Sequence, residues 1–250
     1  MIKGYMNASG GGLYHAKAIV YQHTLWRDYT ENIKHIITNW LDGLPPSDSL
    51  ILVGHSGGYS LPLQKIKNYR LICIDPDPLA HRILNFRLSG KFSARANDKH
   101  IRNDLIIRPI LEADPTTDSL VAILKVKLSS PVIFCNFWGQ VGVLTSKADQ
   151  VFNFWKHNLP VLLEGRPWLS YHDRLSTQNL NPTDKKIELS ETVLSNDQLI
   201  KDFFIPNNGE VVDHKTHGFF SDVKNMKKNY TYLQWTLSYE SKHIIEVCSS

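Results

Sequence analysis

Apolar and polar positions along the 250-residue chain follow two different periods. Over residues 14–42, Ala18, Val20, Tyr21, Leu25, Tyr29, Ile33, Ile36, Ile37, Trp40 and Leu41 recur three and four apart. That spacing aligns side chains on one helix face, so it predicts one or two helices, closed by Gly43 and by Pro45 and Pro46. A flexible Ser-Gly-Gly-Gly hinge, 9–12, precedes them. Short continuous apolar runs then predict buried strands at 49–53, 70–74 and 131–138. A further strand is expected near 99–107, and 160–163 reads as the opening of a fifth. Helices are expected at 59–68, where Pro62 is confined to the first turn, and at 78–88, 120–128, 146–158 and 190–204. The segments 230–238 and 242–248 read as an antiparallel hairpin.

Continuous apolar strands alternating with helices predict an α/β fold: a doubly wound, mostly parallel, Rossmann-like sheet. The C-terminal hairpin closes one edge, and the N-terminal helical segment packs on the sheet. The expected organisation is one domain over 1–250, with a helical cap at 1–46 and an α/β core at 47–250.

Composition narrows the classes. A chain of this length buries roughly 70% of its unfolded surface, so it needs no metal or disulfide staple. Cys73, Cys135 and Cys248 are far apart and odd in number, which argues against a disulfide framework, and no C-x-x-C pair suggests zinc. The net charge of +4 is too weak to argue for nucleic acid. The basic run 82–102 reads as solvated surface, because no recognition motif accompanies it. The first residues, MIKGYMNASGGG, lack the apolar segment of a secretory signal. No run approaches the ~20 apolar residues that span a bilayer. The expectation is a cytoplasmic protein with no membrane partner.

The chemistry concentrates at Gly54-His55-Ser56-Gly57-Gly58, directly after the 49–53 strand. In open α/β sheets, ligands bind beyond the carboxyl ends of the strands, where the turn needs small residues for close approach. Asp75 follows Gly58 by 17 residues, at the end of the 70–74 strand. That is near the ~20 expected when an acid meets ribose hydroxyls. Pro76, Asp77 and Pro78 then mark an abrupt strand end and a helix start.

These residues resemble the cofactor half of a class I S-adenosylmethionine-dependent methyltransferase. More closely, GHSGGYSLP (from Gly54) with IDPDPLA (from Ile74) resembles a poorly characterised bacterial branch of that superfamily. The order of elements and the terminal hairpin extend the resemblance over roughly 48–248. It implies S-adenosylmethionine as cofactor, held by the Gly54–Gly58 loop with Asp75 and Pro76 at the ribose and Asp104 at the adenine. It also implies Asn136 facing the transferred methyl and no metal. The acceptor, small-molecule or macromolecular, is not identified. Two departures favour an alternative, a non-catalytic methyltransferase-like binding domain: Leu52 stands where the family has an acid, and Ser56 replaces the middle glycine.

The same pentapeptide also fits the G-x-S-x-G turn of a serine hydrolase, with Asp173 or Asp213 and His214 or His217 completing a triad. That reading leaves the Asp75–Pro78 strand end without a role. On the acceptor side, Tyr14 and His15 are placed to fold over the cofactor as a lid. Tyr171, His172, Asp173 and Arg174 form a polar cluster just after the expected fifth strand, with His172 as the candidate general base. His214 and His217 are spaced as metal ligands, but no third ligand is evident in the sequence.

Overall fold

A computed structural model describes residues 12–75, 77, 79–89, 101–102, 119–144, 147–178, 180, 182–183, 185, 187–205, 209–223 and 228–250. The candidate ligands Pro76 and Asp104 lie outside these residues, as does most of the strand expected at 99–107.

Among the described residues, nine strands form one mixed sheet. They are β1 (Ser49–Val53), β2 (Arg70–Ile74), β3 (Ile101–Arg102), β4 (Val132–Cys135), β5 (Trp168–Gln178), β6 (Ile187–Ser190), β7 (Val211–Asp213), β8 (Asn229–Thr236) and β9 (Ser241–Ser249). Their order is β3-β2-β1-β4-β5-β9-β8-β6, with β7 paired to β5 off this path. The first five positions are parallel. β9 runs antiparallel to both β5 and β8, so the reversed strand sits inside the sheet. The strands at 49–53 and 70–74 coincide with the expected runs, because beyond their first residues, Ser49 and Arg70, both faces are covered and every position is buried and apolar.

Alternation along β1 divides the core. Leu50 and Leu52 face a layer made by α1 (Gly12–Tyr21), α2 (Arg27–Asp42), α3 (Leu63–Ile66) and α4 (Ala80–Ser89). Ile51 and Val53 face α5 (Ser119–Val126), α6 (Trp138–Leu144), α7 (Ala148–Leu162) and α8 (Asn196–Phe203). The N-terminal layer is tied to the hairpin. Tyr29 stacks on Trp235 with ring centroids 4.9 Å apart, and the Trp26 indole N–H donates to the Leu237 carbonyl at 3.1 Å.

Three expectations are corrected. Residues 160–162 are the last turn of α7, not the start of a strand. Val151, Phe152, Trp155, Leu159 and Leu162 bury one helical stripe, and that packing outweighs the missing amide of Pro160. The fifth strand is instead Trp168–Gln178, so Tyr171, His172, Asp173 and Arg174 lie within it rather than on a loop beyond it. β4 ends at Cys135 and Trp138 opens α6, where a strand to 138 was expected. Likewise, only 196–203 of the expected 190–204 helix is helical, opened by a capping box between Ser195 and Gln198. Among the described residues, no helix is long and apolar enough to cross a membrane.

Candidate functional site

The strand order reverses between β1 and β4, where one crossover leads toward β2 and the next toward β5. A crevice at such a switch point is the usual ligand position in open α/β sheets. Both chains turn sharply there. Gly54 (φ 71°), Ser56 (φ 45°), Gly57 (φ 80°) and Gly58 (φ 75°) follow β1, and Asn136 (φ 52°) follows β4. The glycine at 54 is required by packing: a Cβ there would lie 2.9 Å from Phe137 Cβ.

Asp75 organises this turn. Its Oδ2 accepts the Ser56 N–H at 2.7 Å, and its Oδ1 accepts the Asp77 N–H at 2.8 Å. The carboxylate thus joins the ends of β1 and β2. Asp77 performs the next step by accepting the Leu79 N–H at 2.8 Å, which opens α4. Its other oxygen lies 2.8 Å from His15 Nε2, and His15 Nδ1 is 3.1 Å from the Tyr59 hydroxyl. Arg87 stacks over the Tyr59 ring at 4.7 Å. Burial pushes the Tyr59 hydroxyl up to about 12, against the lowering effect of Arg87.

Of Tyr14 and His15, expected to form a lid, His15 stands against the glycine turn and Tyr14 stands against His15. The His15 ring comes within 3.2 Å of where a Gly57 Cβ would sit, and the Tyr14 ring stands 5.6 Å from that of His15. Burial raises the Tyr14 pKa, helped by Tyr59, Asp75, Asp173 and Asp77. The phenol stays neutral between the two acidic centres.

The second centre surrounds Asp173, which is fully buried. Asn136 grips it twice: its side-chain amide donates to Asp173 Oδ2 at 3.0 Å, and its Oδ1 accepts the Asp173 N–H at 2.9 Å. Gln140, from the first turns of α6, donates to the same Oδ2 at 2.9 Å. On the other oxygen, Asp173 Oδ1 lies 2.8 Å from His243 Nδ1 in β9. His214 Nδ1 donates to the Gly139 carbonyl at 2.8 Å, and its Nε2 is 2.9 Å from the Ser176 hydroxyl. Burial alone would raise the Asp173 pKa, but His243, His214 and the Asn136 hydrogen bond hold it at about 2. Asp173 is an ionised, oriented carboxylate.

Strand alternation separates His172 from Asp173. His172 sits on the opposite face, fully buried, with its ring 5.7 Å from Phe220. Its Nε2 lies 3.5 Å from Glu246 Oε1. Arg174, at the bulge where the β5–β9 register shifts, pairs with Glu246 and donates to Asn196 Oδ1 at 2.8 Å. Glu246 is held below the ordinary carboxylate range: burial raises it, and His172 and Arg174 outweigh burial. His172 and Arg174 are thus gathered with Glu246 in a fully buried cluster. Tyr171 is equally buried, packed with Leu169 and Cys135, and burial raises its pKa.

Sequence reasoning missed His243 and Gln140; it offered His214 with Asp173 only as one option for a hydrolase triad, and as a metal ligand it paired His214 with the exposed His217. The only signal was the concentration of polar side chains in otherwise apolar β5 and β9.

No family model and no curated protein matches the chain. Among solved structures, it is similar to the glycopeptide N-methyltransferase MtfA, at 10% identity and a TM-score of 0.38, over 88% of this chain and 89% of that one. The same enzyme complexed with (S)-adenosyl-L-methionine aligns at 9% identity and a TM-score of 0.37, over 86% of this chain and 92% of that one. Scores at this level do not bear on activity.

Proposed function

We propose that the chain is a class I S-adenosylmethionine-dependent methyltransferase with an unidentified acceptor. The observation that carries this reading is the junction at Gly54. There a left-handed glycine turn at the switch point is bonded through Ser56 N–H to the acid that ends β2. This is where the fold needs close backbone approach and a ribose acceptor together.

The residues fit the cofactor in position. The turn Gly54, His55, Ser56, Gly57 and Gly58 would hold its methionine end and Asp75 its ribose. A carboxylate accepts about four hydrogen bonds, so the two backbone donors do not by themselves exhaust Asp75. When bound, the cofactor supplies a methyl already activated on sulfonium. The chain then has to align the acceptor with that methyl and exclude water. Asn136, directly after β4, and the Asp173 carboxylate it holds within β5 would face the acceptor, while α1 closes over the turn through Tyr14 and His15.

One observation favours a second reading, a methyltransferase-like domain without catalysis. The His15 imidazole packs against Gly57 and is bonded to Asp77 and Tyr59, filling part of the space beside the turn. Ultraviolet cross-linking of radiolabelled S-adenosylmethionine, followed by peptide mapping, separates the two. Label in peptides carrying 54–58 or 136–140, competed away by S-adenosylhomocysteine, supports the methyltransferase. Absence of competable label supports the second reading.

Of the two histidines the hydrolase reading offers as base, His214 has both ring nitrogens engaged by Gly139 and Ser176 rather than by Ser56, and His217 is exposed.

A further inference from the structure

We propose that Asp173, His214 and His243 form a binding site for one divalent first-row transition-metal ion. Each offers a ligand atom, and these atoms lie within 4.8 Å of one another. They come from three separate segments, β5, the residue after β7, and β9, which the sheet holds side by side. All three are buried, with exposures of 0%, 8% and 8%.

The case rests on how each group is aimed as well as on proximity. A ligating histidine typically donates its other ring N–H to a carbonyl or carboxylate, which fixes the tautomer. His214 does this: Nδ1–H donates to the Gly139 carbonyl at 2.8 Å, so Nε2 carries the lone pair. A carbonyl can only accept, which settles the assignment. For Asp173, the amides of Asn136 and Gln140 both hold Oδ2, turning Oδ1 toward the imidazoles. His243 Nδ1 already stands 2.8 Å from Oδ1. Two donors on one tetrahedral ion, each about 2.1 Å from it, are roughly 3.4 Å apart. That edge therefore has to open by about half an ångström as the ion replaces the proton. On the third side, the Ser176 hydroxyl at 2.9 Å from His214 Nε2 must rotate away.

Two imidazoles and one carboxylate suit zinc, iron, cobalt or manganese, whereas magnesium and calcium take oxygen donors. Three protein ligands also leave a coordination position open, the pattern of sites that bind water or substrate rather than purely structural ones. The site adjoins Asn136, but it does not depend on the methyltransferase reading.

The test uses the full chain, stripped with chelator and titrated with Co²⁺ and then Zn²⁺ in the absence of any nucleoside. The expected result is one equivalent bound, visible cobalt d–d bands, and a raised melting temperature. Asp173→Asn and His243→Ala should each weaken binding at least tenfold, and His217→Ala should leave it unchanged. Because the first two variants remove buried partners, zinc-edge X-ray absorption on the wild type provides a reading that needs no variant. It should count two imidazole donors in the ligand shell. No cobalt bands at equimolar metal, a shell lacking imidazole, or binding as strong in Asp173→Asn as in the wild type would overturn the proposal. In that event Asp173 and His243 are a hydrogen-bonded structural pair.

Discussion

His15 Nε2 lies 2.8 Å from Asp77 Oδ2, with the two side chains both 4% exposed. The contact fastens α1 to the residue that opens α4, beside the glycine turn. Removing the imidazole should loosen α1 without touching the sheet. In His15→Ala, amide exchange over residues 12–21 is expected to accelerate, while that of β1 and β2 stays as in the wild type. Unchanged exchange in α1 would mean that the helix is held by its apolar contacts alone.

Gly139 and Gly142 belong to the same short helix and should respond oppositely to alanine. A Cβ at Gly139 would meet Asp173 N at 2.6 Å and Asn136 Oδ1 at 2.8 Å, whereas one at Gly142 meets nothing within 4 Å. Gly139→Ala is expected to destabilise by about 1–3 kcal/mol through overpacking. Gly142→Ala should stabilise by roughly 0.5–1 kcal/mol through helix propensity. Urea unfolding of both variants checks the pair, and equal effects would contradict the close approach of α6 to β5.

Glu246 should contribute acid sensitivity. Its folded pKa lies below the ordinary 4.5, because His172 and Arg174 outweigh burial. As pH falls, the unfolded chain takes up the proton first. The stabilisation is complete above about pH 4.5 and disappears as pH drops through the folded value. At pH 7, Glu246→Gln is expected to cost about 3–5 kcal/mol, because it leaves a buried Arg174 without its charge partner. Denaturation at pH 7 and pH 4 should also show a flatter acid dependence in the variant. An unchanged slope would place the acid-sensitive group elsewhere.

Ser56 has a left-handed backbone, φ 45°, as a nucleophile at a tight turn would. Its strain serves to aim its N–H at Asp75. A fluorophosphonate probe is therefore expected to leave Ser56 unlabelled, and a Ser56 adduct found by peptide mass spectrometry would revive the hydrolase.

The parts of the fold that are legible in the sequence are those set by local pattern. β1 and β2 are apolar at every position after the first, because both faces are covered there, and their spacing to Asp75 follows from a strand, a turn and a strand. β5 was misplaced because its His172, Asp173 and Arg174 break the apolar run. They are compatible with burial only through Glu246 and His243, about 70 positions away, and no local pattern reveals those partners. Pro160 misled for the converse reason: a strong helix-breaker was outweighed by the buried stripe of α7. At the glycine turn, the sequence exposes the residue types but not that Ser56 and Asp77 supply the hydrogen bonds to Asp75 from within the chain.

The most direct test of the central claim is calorimetric titration of the wild type and of Asp75→Asn with S-adenosylhomocysteine. The account predicts saturable one-site binding to the wild type, with a Kd on the order of micromolar. It predicts weakening by about 1–3 kcal/mol in a variant that remains folded. No binding to the wild type at about 1 mM ligand, some 4 kcal/mol on the same scale, would contradict the claim and leave the non-catalytic reading.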